Sequence, residues 1–375
     1  MKFYLYTLLL IVLYNSKAMA QAEEKKWELN GYVKGLQATS FTDLDSITTN
    51  SLLHNRLNFR WYPSDSWKVG IEVRNRLFVG DQITANPLLT GIEDDGIIDL
   101  SANIVEKKDV LLNTTLDRFW AQWQGTSWQV TLGRQRVNWG VDRIFNPNDI
   151  FNAYSFIDFD YEERPGSDAL RVQYFKDTDY TLDMAVKITD DPDELIAAAL
   201  YKFNKWNYDI QLLGGIYKRD IVAGAGWAGN IRNAGLKTEL SYFRNYQNFA
   251  GDSGTFISSV SVDYALPNSL YLYGAYFYNS SGANQNAIEN LVSINLDVKN
   301  LSPFTHNLFA QLSYEFSAMN ILYSPADNAV FINPSLNIIM GEQFDLSIIS
   351  QSLFGNTNNF DLLFNTIYTR LKWNF

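Results

Sequence analysis

The run WKVGIEVRNRLFVG (67–80) separates into two faces. Trp67, Val69, Ile71, Val73, Leu77 and Val79 occupy one side, and Lys68, Glu72, Arg74 and Arg76 the other. Such a period of two belongs to a strand, because successive side chains of extended backbone point to opposite faces. LLHNRLNFRWYP (52–63) repeats the pattern, with Leu53, Leu57, Phe59 and Trp61 set against His54, Arg56, Asn58 and Arg60. YTLDMAVKI (180–188) sets Tyr180, Leu182, Met184, Val186 and Ile188 against Thr181, Asp183 and Lys187. Helical spacing at i, i+3, i+4 is nearly absent.

Strands of a water-soluble sandwich also alternate, but they average about five or six residues. The runs here are longer, their apolar faces are bounded by Trp and Tyr, and their polar faces carry charge in mid-strand. Those three features fit an all-β, antiparallel, up-and-down barrel in a membrane. Lipid obliges every backbone group to pair within the protein. An aromatic girdle marks each interface, and the interior holds water.

Both ends agree. Lys2 precedes the apolar run LYTLLLIVLY (5–14), and Ala18-Met19-Ala20 has the form of a cleavage site. Residues 1–20 are expected to be a signal peptide and residues 21–375 the barrel of a Gram-negative outer membrane. At the other end YTRLKWNF (368–375) alternates Leu371, Trp373 and Phe375 with Arg370, Lys372 and Asn374. A terminal strand ending on Phe, with aromatics at alternate positions, resembles the signal read by barrel-assembly machinery. The expected surroundings are outer-membrane lipid outside and a small polar or anionic solute inside.

Composition removes other classes. The chain has no cysteine, hence no disulfide framework and no thiolate chemistry. It has 22 Tyr, 24 Phe and 10 Trp, yet after the first twenty residues no run reaches the roughly eighteen apolar residues of a membrane helix. A net charge of −11 argues against nucleic acid as a partner.

Strand-like runs number about eighteen, with sixteen the alternative because 279–340 is ambiguous; 287–298 and 305–317 are two of the runs counted there. An even number places both ends on the periplasmic side. PSDS, GTS, DTD, NKW, LPN and MGE are short turns of favoured turn residues. The longer connections, notably 80–112, 138–166 and 279–286, then face outward. No internal repeat or linker divides the chain.

Parity assigns the charges. If apolar faces meet lipid, Arg56, Arg60, Lys68, Arg74, Arg76, Arg118, Arg171, Arg370 and Lys372 point inward from neighbouring strands. Later strands contribute Asp183, Asp209, Asp263, Asp297, Glu315 and Asp345, with Lys187, Lys237 and Glu239 among them. One wall is basic and the other mildly acidic, so a field crosses the lumen and draws anions or orients polar solutes. The alternative is that these charges are solvated or paired across strands.

The third outward loop is the richest stretch. Asp149, Asp158, Asp160, Glu162 and Glu163 supply acid, and Arg143 and Arg164 base. Its aromatics (Phe145, Phe151, Tyr154, Phe156, Phe159 and Tyr161) are too apolar to hang in water, so the loop is expected to fold into the mouth and make a constriction over 143–163. An external lid or a subunit contact is the other reading. Strict alternation puts Arg134 and Arg136 with Trp128, Val130 and Leu132 on the lipid face; either Gly133 hosts a bulge that turns them inward or they sit above the lipid.

LGRQRVNWG (132–140), FNPND (145–149) and YEERPGSDALRVQYF (161–175) together resemble the strand–loop–strand of porin-like outer-membrane proteins related to the alginate-export type barrels. The resemblance implies an eighteen-stranded barrel with a charged lumen that passes polar, often anionic, material. It singles out Arg134, Arg136, Trp139, Asn146, Pro147, Asp149, Arg164, Gly166 and Arg171.

Enzyme chemistry finds little support. The two histidines are His54, between arginines, and His306. GDSG (251–254) matches a serine-protease tetrapeptide without a paired His and Asp in its frame. EDDG (93–96) and DDPDE (190–194) lack the spacing of a calcium loop, so no metal and no cofactor are expected. The reading is a porin-like channel; an exporter of a surface polysaccharide and a nonconducting surface barrel are the alternatives.

Overall fold

The computed structural model describes residues 25–42, 46–80, 96–153, 166–176, 180–251, 253–283, 297–326, 328–356 and 360–375. The first half of the barrel is built from β1 (Trp27–Phe41), β2 (Thr48–Ser64), β3 (Trp67–Gly80), β4 (Ser101–Lys107) and β5 (Val110–Gln124). It continues through β6 (Trp128–Gln135), β7 (Ser167–Lys176), β8 (Tyr180–Lys187), β9 (Ile196–Lys205) and β10 (Tyr208–Tyr217). The second half comprises β11 (Asp220–Ile231), β12 (Ala234–Asn245), β13 (Thr255–Ala265), β14 (Leu270–Asn279) and β15 (His306–Tyr314). It ends with β16 (Ser317–Ser324), β17 (Ala329–Met340), β18 (Phe344–Asn356) and β19 (Phe360–Asn374).

Sequential neighbours pair antiparallel, and β1 pairs β19 from Tyr32↔Asn374 to Phe41↔Asn365, which closes the sheet. β4 is an addition to the wall. β3 pairs β5 along its length, β6 takes the Phe119–Gln124 half of β5, and β4 lies on the Val110–Thr115 half above it. The wall is therefore a closed barrel of eighteen strands.

Closure ends on the last residue. The Phe375 N–H donates to Gly31 O and the Gly31 N–H to Phe375 O, both at 3.0 Å, and the Phe375 ring covers the glycine where a Cβ would meet it at 3.0 Å. Phe375→Asp should place a charge on that outward face and reduce the yield of folded barrel, read as loss of the heat-modifiable band on gels. Wild-type yield would remove Phe375 from closure.

The tight turns have the geometry that twisted hairpins require. Trp206 and Asn207 both have positive φ (57° and 62°), the signature of a two-residue type I′ turn between β9 and β10. Large apolar side chains such as Leu29, Leu53, Trp61, Trp67, Leu132 and Leu212 are exposed on the outer face, as a lipid-facing surface demands.

Two late assignments change. Of the strand expected over 287–298 only 297 and 298 are among the described residues, and they open a short 3-10 turn at Val298–Asn300 followed by an irregular segment, buried to Thr305; 284–296 lie outside the described residues. The missing strand is recovered at β16, because the run expected over 305–317 turns at Glu315, which has φ +46°. Glu315 thus sits in a hairpin turn, and Asp297 caps the 3-10 turn by accepting from the Lys299 N–H at 2.9 Å. Neither belongs to a lumenal strand face.

Candidate functional site: a charged lumen with a seated loop

The basic wall is built strand by strand. Arg56 and Arg60 on β2, Glu72 and Arg74 on β3, and Asp117 and Arg118 on β5 meet on the inner face. Arg56 is fully buried; its guanidinium bonds Glu72 and lies 2.8 Å from Asp117. Arg60 bonds the other oxygen of Glu72. Arg74 and Arg118 stand 3.7 and 3.6 Å from Asp117. Four guanidinium groups thus surround two carboxylates, so the arginines are paired across strands and the cluster keeps a positive excess.

Asp117 reaches the lumen because β5 bulges. The register passes from Glu72↔Arg118 to Val73↔Leu116, so Asp117 is the extra residue and both it and Arg118 face inward. Gly70 serves the same wall: a Cβ there would meet the Trp120 ring at 2.5 Å. With no Cβ, Trp120 lies across the wall and the Arg60 guanidinium sits over it at 5.2 Å.

Below this cluster a polar cavity of about 480 Å³ opens, lined by Arg60, Glu72, Arg118, Trp120, Gln122, Gln129, Thr131, Gln135, Arg136 and Arg171. Arg171 is held to Asp183 of β8 by bonds of 2.9 and 2.5 Å. Arg370 donates to Ser347 Oγ at 3.1 Å, and the Lys372 ammonium sits 4.5 Å over the Tyr32 ring. Arg76 lies farther up the wall, over Phe78.

Arg134 and Arg136 part company. Arg136 lines the cavity. Arg134 pairs in register with exposed Phe119, hence on the outer face, where Asp168 receives it at 2.8 and 2.9 Å. It also donates to Ile98 O at 2.9 Å, and the Ile97 N–H donates to Asp168 at 3.0 Å, so the segment before β4 seals the pair. Gly133 has φ +112°, but the β5–β6 register shows no shift there.

The third loop enters the barrel. Val137, Trp139, Phe145, Ile150 and Phe151 are buried, and Phe145 stacks on Phe277 of β14 at 4.6 Å. Gly166 packs where a Cβ would meet Arg134 and Arg118. The seat is the wall opposite the arginines. The Gln211 amide donates to Trp139 O at 2.8 Å, and Ser241 Oγ lies 2.9 Å from Pro147 O and 2.8 Å from Asn148 Oδ1. Asp142 accepts from Ser261 and Tyr273 at 2.7 and 2.8 Å. Asn146 and Asp149 are buried within the loop, where Asp149 accepts from the Trp139 N–H at 3.3 Å. Asp158, Asp160, Glu162, Glu163 and Arg164, with Tyr154, Phe156, Phe159 and Tyr161, lie outside the described residues.

A second segment joins it. Val298, Leu301 and Phe304 are buried in the same apolar cluster as the third loop. Ion pairs between strand ends and loops hold it: Lys218 to Asp297 at 2.9 Å and Lys299 to Asp220 at 2.6 Å, with Lys218 also 2.7 Å from Glu194. Burial pushes the Asp297 carboxyl up, but the Lys299 amide and Lys218 outweigh it and hold it below its ordinary value. Nothing in the sequence marked this segment except its Val298-to-Phe304 apolar residues.

The later wall is less acidic than parity implied. In mid-barrel it presents Gln311, Asn320, Asn333, Ser347 and Gln351, so β15–β18 offer amides and hydroxyls. Asp345 stands near the strand ends, accepting from the Asn374 amide at 2.9 Å. His54 is buried among the wall cations and His306 bonds the Tyr276 hydroxyl at 2.8 Å.

No protein-family model matches the sequence, and no curated protein does. Solved structures do. OccK8 (OprE) of Pseudomonas aeruginosa superposes with a TM-score of 0.57 at 10% identity, over 94% of this chain and 98% of that one. OpdQ of the same organism gives 0.59 at 9% identity, over 94% and 99%. OccAB3 of Acinetobacter baumannii gives 0.54 at 8% identity, over 93% and 99%. At such identity the likeness is one of fold, a closed antiparallel barrel of eighteen strands.

Proposed function

We propose that the chain is an outer-membrane channel of a Gram-negative cell that passes small polar or anionic solutes. The observation that carries this reading is the polar cavity of about 480 Å³ lined by Arg60, Arg118, Arg136 and Arg171 on the inner face of a closed barrel. A positive excess on one wall raises the local concentration of anions and orients dipolar solutes. The fold shared with OccK8 and OpdQ supports a porin-type role and an outer-membrane location. Export by a cleaved signal peptide and insertion by barrel-assembly machinery complete the reading. The likeness to alginate-export barrels stays one of the 130–175 motif. A loop seated across the lumen favours small solutes over a polymer strand.

Planar-bilayer recording tests the reading. The wild type should conduct and favour anions in a salt gradient. Arg60→Gln, Arg118→Gln and Arg136→Gln combined should move the reversal potential toward cations, most at low salt where screening is weakest. A closed membrane, or an unchanged potential in the triple variant, would remove the arginine wall from the solute path.

A further inference from the structure

We propose that Glu239 is the positioning residue that holds the third loop in the lumen, so that one wall carboxyl group sets the width of the passage. It rests on the channel reading for its electrical readout only.

Glu239 lies on the inner face of β12 and is 0% exposed. Its close partners are loop amides, and Lys202 acts on it only electrostatically. One oxygen accepts the N–H groups of Val141 and Asp142 at 2.5 and 2.8 Å, and the other accepts that of Asn148 at 2.9 Å. Successive N–H groups converging on a carboxyl are the geometry of an anion nest. Here the nest is loop backbone and the acid belongs to the barrel wall, an inversion that suits a seat rather than a ligand site.

The contact is reciprocal. The loop returns its own carboxyl, Asp142, to wall hydroxyls on β13 and β14. β11 makes the room: Gly224 and Gly226 are the inward positions beside Asn148, and a Cβ on them would stand 2.8 and 3.0 Å from its amide atoms. A lumen acid needing only solvation would be exposed to water and would not require glycines opposite it. Burial also makes the bonds consequential, since three amides that lose a buried acceptor each carry a desolvation penalty.

The chain lacks cysteine, so Ile150→Cys introduces a single thiol at a loop position that is 2% exposed. In the otherwise native chain a small thiol reagent should label it slowly. Adding Glu239→Ala should speed labelling by about tenfold or more, because the loop leaves its seat more often. The same substitution should give larger, noisier single-channel currents while gel mobility shows an assembled barrel. Glu239→Gln keeps an acceptor oxygen but turns an NH2 toward a backbone N–H, so its effect should be intermediate; it decides the matter if the alanine variant fails to assemble. Equal labelling rates with and without the Glu239 change would overturn the proposal. Accelerated labelling in a protein that carries no current would instead sink the channel reading and leave the clasp standing.

Discussion

Replacing Arg56 by methionine should destabilise the barrel by about 3–5 kcal/mol, the cost of breaking a buried ion pair from one side. The side chain is 1% exposed, against 6% for Glu72 and 4% for Asp117, so solvent screens little of the loss. Glu72 would keep Arg60. Among the described residues Asp117 would keep only Arg74 and Arg118, at 3.7 and 3.6 Å, too long to replace an ion pair of 2.8 Å. Urea unfolding followed by gel mobility reads the effect. Adding Asp117→Asn should recover part of the loss, because the uncompensated acid is gone. If the two substitutions simply add, the pair is not coupled and the cluster owes its order to the wall rather than to charge.

The fold was legible because a barrel wall obeys one local rule on every strand, and Trp67–Gly80 alone displays it. The rule fails where the backbone departs from strict alternation. Leu116 and Phe119 are three apart, yet both are outward residues, so two charges fit between them; that slip was readable in LDRF and marks the Asp117 bulge. Arg136 leaves the parity pattern because β6 ends at Gln135, whereas Arg134 keeps to it. Arg134 does lie on the outer face, but a segment from another loop covers it, and no strand pattern encodes what covers a rim. The late strands were harder still. Apolar residues of 298–304 fill the mouth and copy the composition of a strand, while a two-residue turn at Glu315 leaves no glycine or proline to announce it.

The lumen shows the same division. Arginine positions follow from parity, but their partners do not, since Glu72 and Asp117 come from strands whose register only the folded sheet fixes. The inward course of the third loop was foreshadowed by its aromatics. Its seat was not: in the sequence Glu239 is one inward acid among several, and only the folded chain brings the N–H groups of Val141, Asp142 and Asn148 to it.

Excising residues 140–151 should widen the pore, raising single-channel conductance roughly twofold or more, because a barrel of this strand number leaves an aqueous channel when nothing fills it. The wall should survive the loss. β6 and β7 pair from Trp128↔Tyr174 to Gln135↔Ser167 without help from the loop, and their neighbours are closed on both sides. Removal takes away Phe145, Ile150 and Phe151 from the apolar cluster and returns Glu239 and Ser241 to water, where both are well solvated. Anion preference should persist, because the arginine wall is untouched, and that persistence separates widening from general damage to the pore. An assembled variant with unaltered conductance would move the constriction elsewhere, to the segment around Val298–Asn300 that Lys218 and Lys299 hold in the mouth.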